Sequence, residues 1–219
     1  MCNRYQPGER KRIVDFFDAR VLQEVNAGPA IVHPREPGWV VRVGEDGAGL
    51  VVEQMTWGFP VYVNGRTGKR GQPLKPKPVN NARFDKLGSF WRRWASIPAQ
   101  RCLIPAIRYA EAVGEPGRMM TTWLSLRSQP VFAWAGLWTS SDEWGPAYTA
   151  VMTSCATELA QIHDRSPVIL APEDWSAWLE APLGKLARFD RPWPAADVRV
   201  VATPVPWTRG GEPELLPPE

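Results

Sequence analysis

Four short runs in the middle third of the chain, at 102–109, 120–126, 131–138 and 147–155, limit what this sequence can fold into more than any other feature. Each is rich in aromatic and β-branched residues, the side chains that pack best on a pleated surface. They predict strands from Cys102 to Tyr109, Met120 to Leu126, Val131 to Trp138 and Ala147 to Cys155, with Trp123, Trp134 and Trp138 in the interior. Upstream, Trp39 to Val43 and Leu50 to Trp57 flank Gly44-Glu45-Asp46-Gly47-Ala48-Gly49, which reads as a hairpin. Ile13, Phe16, Phe17, Val21 and Val25 fall near helical spacing, so an early helix is expected over 12–25, ending at Asn26-Ala27-Gly28-Pro29. A second helix is expected over 86–94 and short ones over 157–163 and 172–179. The last opens on Pro172-Glu173-Asp174, acids that suit the positive end of a helix dipole. From Pro192 the chain is proline-rich and reads as a strand followed by a loose tail over 203–219. No repeat or linker divides it. The expected class is α+β: a mostly antiparallel β core, able to close into a barrel-like form, with a few short peripheral helices, in one domain over 1–219.

Composition narrows the function. With 44% hydrophobic and 22% charged residues, the chain has the balance of a soluble globular protein. It has no run of 18 apolar residues and no charged-then-apolar leader, so the expected location is the cytoplasm, with no membrane partner. Cys2, Cys102 and Cys155 lie far apart and only two histidines are present, so neither a disulfide framework nor a metal site is suggested, and no cofactor is expected. The net charge is only +3, but 20 of the 26 basic residues are arginine, whose planar fork matches phosphate oxygens. A GC-rich genome accounts for much of that bias. From Asn64 to Phe84 stand Arg66, Lys69, Arg70, Lys75, Lys77 and Arg83 without one acid, among glycines and prolines that predict an irregular loop. Such a loop is either a surface that meets a polyanion or a solvated surface loop.

The second residue carries the chemistry. If Met1 is removed, Cys2 presents an α-amine and a thiol on adjacent carbons. An α-amine titrates near pH ~7.7 to 8.0 and a thiol near ~8.5, so each is partly nucleophilic at neutral pH. The amine condenses with an aldehyde to an imine, and the thiol closes a five-membered thiazolidine on the same carbon. Taken alone, a cysteine at position 2 reads first as an accident of sequence, buried or frayed.

Six ordered blocks change that. They are Met1-Cys2-Asn3-Arg4-Tyr5, Trp57-Gly58-Phe59-Pro60, Asn81-Ala82-Arg83, Arg101-Cys102-Leu103-Ile104-Pro105-Ala106 followed by Glu111, Ala135-Gly136-Leu137-Trp138, and Ile162-His163-Asp164-Arg165-Ser166-Pro167-Val168-Ile169-Leu170. In this order they resemble the SOS response-associated peptidase (SRAP) family over residues 1 to about 182. The resemblance implies a protein that senses abasic sites in single-stranded DNA and traps them through its N-terminal cysteine, associating with the nucleoid when bound. It implies Cys2, Asn81, Glu111 and His163 as the reacting group, with Glu111 and His163 shuttling protons and Asn81 hydrogen-bonding near the terminus or sugar. On the residues alone Glu111 reads as a solvated strand-end acid, and Asn80 beside Asn81 allows a one-residue shift in register. Arg4, Arg83 and Arg165 are candidate phosphate ligands, and Trp57 with Phe59 offers either a stacking face for a base or core packing.

The chain also departs from the family pattern. Asn3 stands where Gly is usual, the Asn-x-Ala-Pro stretch is missing, Phe84-Asp85 follows Asn-Ala-Arg, and Ala112 replaces a Trp after the acid. Ile107-Arg108 replaces Asp-Gly, which makes Arg108 a further candidate phosphate contact. Two other readings use the same residues. One is a cysteine-dependent peptidase or amidohydrolase, self-removal of Met1 included, with lyase-like chemistry at an abasic site. The other is a non-covalent single-strand binder using the basic loop. A monomer is expected in each case.

Overall fold

Along the central strands of this protein successive side chains enter two different hydrophobic cores, because a strand buried on both faces sends alternate residues to opposite sides. The computed structural model describes residues 2–22, 28–61 and 75–207. In chain order the strands are β1 (Tyr5–Gln6), β2 (Arg20–Val21), β3 (Pro37–Val43), β4 (Leu50–Trp57), β5 (Phe59–Val61), β6 (Lys77–Val79), β7 (Asn81–Arg83) and β8 (Arg101–Ala106). They continue as β9 (Arg108–Val113), β10 (Met120–Leu126), β11 (Phe132–Thr139), β12 (Ala147–Ser154), β13 (Arg165–Pro167), β14 (Ile169–Leu170) and β15 (Val198–Pro206). The α-helices are α1 (Arg10–Phe17), α2 (Arg92–Ala95) and α3 (Trp175–Glu180).

Strands β12, β11, β8, β3 and β4 pair in that order. Strand β4 then returns to β12 in parallel, Thr56 opposite Ala147 and Trp57 opposite Tyr148, so the five form a closed ring. The other ladders of the ring are antiparallel. A second, wholly antiparallel sheet has the order β1-β9-β10-β15. Cys102 and Ile104 of β8, Phe132 and Trp134 of β11, and Tyr148 and Met152 of β12 share one core with Tyr109 and Leu124 of the second sheet. The alternate residues Leu103, Ala133, Ala135 and Val151 join Phe17 of α1 and Trp178 of α3 in the other core. Cys2 and Tyr5 belong to the first cluster, so the N-terminal segment is built into the packing between ring and second sheet.

Several local expectations change. Helix α1 stops at Phe17 because Asp18 takes the left-handed conformation, with φ of 48°, and returns its N–H to the Val14 carbonyl. Arg20 and Val21 then pair with Val51 and Val52 of β4. Val25, Asn26 and Ala27 lie outside the described residues. The single strand expected over 102–109 is two, broken at Ile107, where the chain leaves the ring for the second sheet and the Ile107 N–H bonds the Gln6 carbonyl at 2.8 Å. The helix expected over 86–94 is reduced to a 3₁₀ turn at Phe84–Lys86 and the four residues of α2, and that over 157–163 to a 3₁₀ turn at Thr157–Leu159. Of the basic stretch, Arg66, Lys69 and Arg70 lie outside the described residues, while residues 77–83 form β6 and β7 instead of an irregular loop. The loose tail expected from residue 203 begins later, since residues 203–206 belong to β15, and residues 208–219 lie outside the described residues.

Candidate active site

Strand β1 delivers the N-terminus. The Arg4 carbonyl accepts the Ala110 N–H of β9 at 2.9 Å, and Tyr5 exchanges backbone bonds with Val32 at 3.2 and 2.8 Å. The Tyr5 hydroxyl shares a short hydrogen bond with that of Tyr148, and the Tyr5 ring stands edge-on to Trp57 at 5.1 Å. Only glycine fits at residue 38, since a Cβ there would lie 2.0 Å from the Tyr148 hydroxyl oxygen and 2.2 Å from that of Tyr5. Asn80 and Asn81, where β7 begins, both donate side-chain amide N–H to the Cys2 carbonyl, at 2.9 and 2.7 Å. The Trp57 indole N–H in turn holds the Asn80 carbonyl at 2.9 Å. The register left open between Asn80 and Asn81 resolves into a clamp that uses both.

Cys2 is wholly buried, and its thiol donates to the Arg4 carbonyl at 3.4 Å. Burial, and secondly the negative charge of Glu111, push that thiol far above its ordinary value. Burial thus works against the partial thiolate expected at neutral pH. Glu111 on β9 is 3% exposed, which removes the reading of a solvated strand-end acid. Burial raises its carboxyl to about 7, where it gives and takes a proton with equal ease.

His163 lies between the 3₁₀ turn and β13, and burial lowers its pKa. Its Nδ1 has a partner in either tautomer. The Arg165 N–H donates to it at 3.0 Å when it is bare, and Asp164 Oδ1, 2.8 Å away, accepts from it when it carries the proton. In the second case Nε2 is the proton acceptor. Glu111 and His163 line one cavity together with Cys155 and Ser166, a volume of about 10 Å³.

The remaining expected site residues separate into two groups. Arg165 lines this cavity, and Arg83, about half exposed, makes a two-bond pair with Asp85 at 2.9 and 2.6 Å. Arg4 and Arg108 are instead buried, Arg4 stacked on Trp207 at 4.4 Å and Arg108 on Trp123 at 4.1 Å, the latter also bonded to Gln6. Neither is presented to a phosphate. Trp57 and Phe59 are also buried to within 1% of completely, so the core-packing alternative holds and neither offers a face to a base. Sequence reasoning missed Cys155 and Ser166 at the cavity and the Tyr5–Tyr148 pair behind it. Ser166 stood within the most specific block and alternates with Arg165 along β13, a signal that was available. Among the described residues no cluster of three His, Cys, Asp or Glu side chains is placed to hold a metal ion, and no helix is long and apolar enough to cross a membrane.

A family model described as SOS response associated peptidase (SRAP) matches residues 1–206. The chain is 31% identical over 146 residues to the abasic site processing protein YoqW of Bacillus subtilis strain 168, covering 64% of this chain and 62% of that protein. It is 26% identical over 150 residues to the abasic site processing protein YobE of the same organism, covering 64% of each. The chain thus aligns with just under two thirds of these relatives' lengths. A crystal structure of a protein from Bordetella bronchiseptica superposes with a TM-score of 0.75 at 24% identity, covering 92% of this chain and 99% of the other. One from Bacteroides thetaiotaomicron gives 0.74 at 15% identity, covering 92% and 91%. At these identities the two structures speak for the fold.

Proposed function

The chain belongs to the SOS response associated peptidase (SRAP) family, and on that premise we propose that it captures abasic sites in single-stranded DNA as a covalent thiazolidine on Cys2 once Met1 is removed. The observation that carries this reading is the clamp: two amides, Asn80 and Asn81, grip the carbonyl of the one residue that would bear both the amine and the thiol, beside a buried carboxyl. The names of the relatives YoqW and YobE as abasic site processing proteins support the choice of substrate.

An abasic deoxyribose equilibrates with an open-chain aldehyde. The Cys2 amine adds to the aldehyde carbon, and His163 moves the proton from nitrogen to oxygen, giving a neutral carbinolamine. The Glu111 carboxyl then protonates the hydroxyl, which leaves as water, so that a protonated imine faces a carboxylate. That carboxylate takes the thiol proton as sulfur adds to the imine carbon. The ring closes, one water has been released, and Glu111 ends protonated as it began. A carboxyl near pH 7 suits both of its steps. In this reading Arg83 and Arg165 receive flanking phosphates, a choice supported by the engagement of Arg4 and Arg108 with aromatic rings.

The test is a denaturing gel of the Met1-processed protein with a single strand carrying one abasic site. A retarded band is expected, absent for undamaged DNA and for Cys2→Ala. Equal crosslinking by Cys2→Ala would remove the thiol from the mechanism.

A further inference from the structure

Ser166 has no role in the chemistry above, yet its position is unusual. It lies on β13 opposite Thr153 of β12 and is 8% exposed, and its hydroxyl oxygen is buried without a hydrogen-bond partner. A buried hydroxyl left so costs free energy. Ser166 lines the same cavity as Glu111 and His163, and the volume of about 10 Å³ is that of roughly one water molecule. A buried water needs two to four polar partners. This cavity provides a carboxyl, an imidazole and a hydroxyl, with Tyr109, Cys155 and Arg165 also on its walls beside the apolar Leu124, Leu159 and Ile162.

We propose that Ser166 seats a single water between Glu111 and His163, and that this water relays protons between them. The proposal rests on the capture reading above and adds a positioning residue to it. Outside the dehydration step, in which its proton goes to the carbinolamine hydroxyl, Glu111 exchanges that proton with His163: its O–H breaks, the water takes the proton and passes one of its own to Nε2 of His163, and the water is regenerated. The imidazolium formed keeps its Nδ1–H on Asp164 Oδ1, 2.8 Å away. Run backwards, the relay returns the proton to Glu111. The hydroxyl of Ser166 exchanges no proton in the net step. It fixes where the water sits.

Single-turnover capture of an abasic single strand by the wild type, Ser166→Ala and Ser166→Thr across pH 5.5–8.5 tests this, with thermal melting as the control for folding. Ser166→Ala should slow capture about tenfold, less than the ~10²–10⁴ that loss of a proton-transferring side chain costs, and should distort the pH profile. Ser166→Thr, which keeps the hydroxyl, should restore both. The wild type alone supplies a second measurement: its rate in mixtures of light and heavy water should curve with deuterium fraction, because two protons move together. No adduct from the wild type sinks the capture reading and the relay with it. A normal adduct that Ser166→Ala forms at the wild-type rate and pH profile, or a linear or flat deuterium dependence, sinks the relay alone.

Discussion

Burial moves Glu111 up and His163 down, so the same desolvation drives both toward the uncharged form. For Glu111 this has a cost that can be measured. A carboxyl raised from 4.5 to about 7 by folding contributes stability below pH 4.5, and that contribution is lost as pH rises through 7. At ~1.4 kcal/mol per unit the loss is about 3 kcal/mol. Relative to the wild type, Glu111→Gln should therefore be about 3 kcal/mol more stable at pH 8 than the same comparison gives at pH 4.5, read by urea denaturation at both. A wild-type-to-Gln difference independent of pH would contradict the burial argument. The same substitution should slow capture by ~10²-fold or more, since an amide cannot shuttle the proton. Cys2 and His163 could be singled out as candidates from their types and blocks. The burial of Glu111 could not be read, because most glutamates are exposed and the residues that cover this one come from distant parts of the chain. Arg4 and Arg108 misled for the same reason: their partners Trp207 and Trp123 are made neighbours only by the sheet.

At the scale of elements, β1 is held by its ladder with β9, the backbone exchange of Tyr5 with Val32 and the tyrosine pair, so the position of Cys2 depends on contacts remote from the chemistry. Gly38→Ala puts a methyl group where the two tyrosine hydroxyls meet. It should cost about 2 kcal/mol or more in urea denaturation and lower capture along with stability. A Gly38→Ala protein of wild-type stability and activity would show that the tyrosine pair does not position the terminus. The hairpin of β3 and β4 was readable because glycines and acids mark its turn. The break at Ile107 was not, since the run stays apolar across it and the cause is that β8 and β9 join different sheets. Ring closure through the parallel contact of β4 with β12 joins residues about ninety positions apart, which no local pattern records.

For the whole molecule, a net charge of +3 is too small to bind DNA by itself, so affinity for an undamaged strand should rest on a few cations. Fluorescence anisotropy across a salt series should show Arg83→Ala and Arg165→Ala each reducing the slope of log K against log salt by about 0.7. Arg4→Ala and Arg108→Ala should leave that slope alone and lower stability instead; the reverse pattern would return those two arginines to the DNA path. The central claim, that Cys2 closes a ring on an abasic aldehyde, is tested most directly by intact mass of the adduct before and after borohydride. The account predicts protein lacking Met1 plus DNA minus one water, unchanged by the reductant. An adduct that gains two hydrogens, as an open imine must, or no adduct at all, would contradict it.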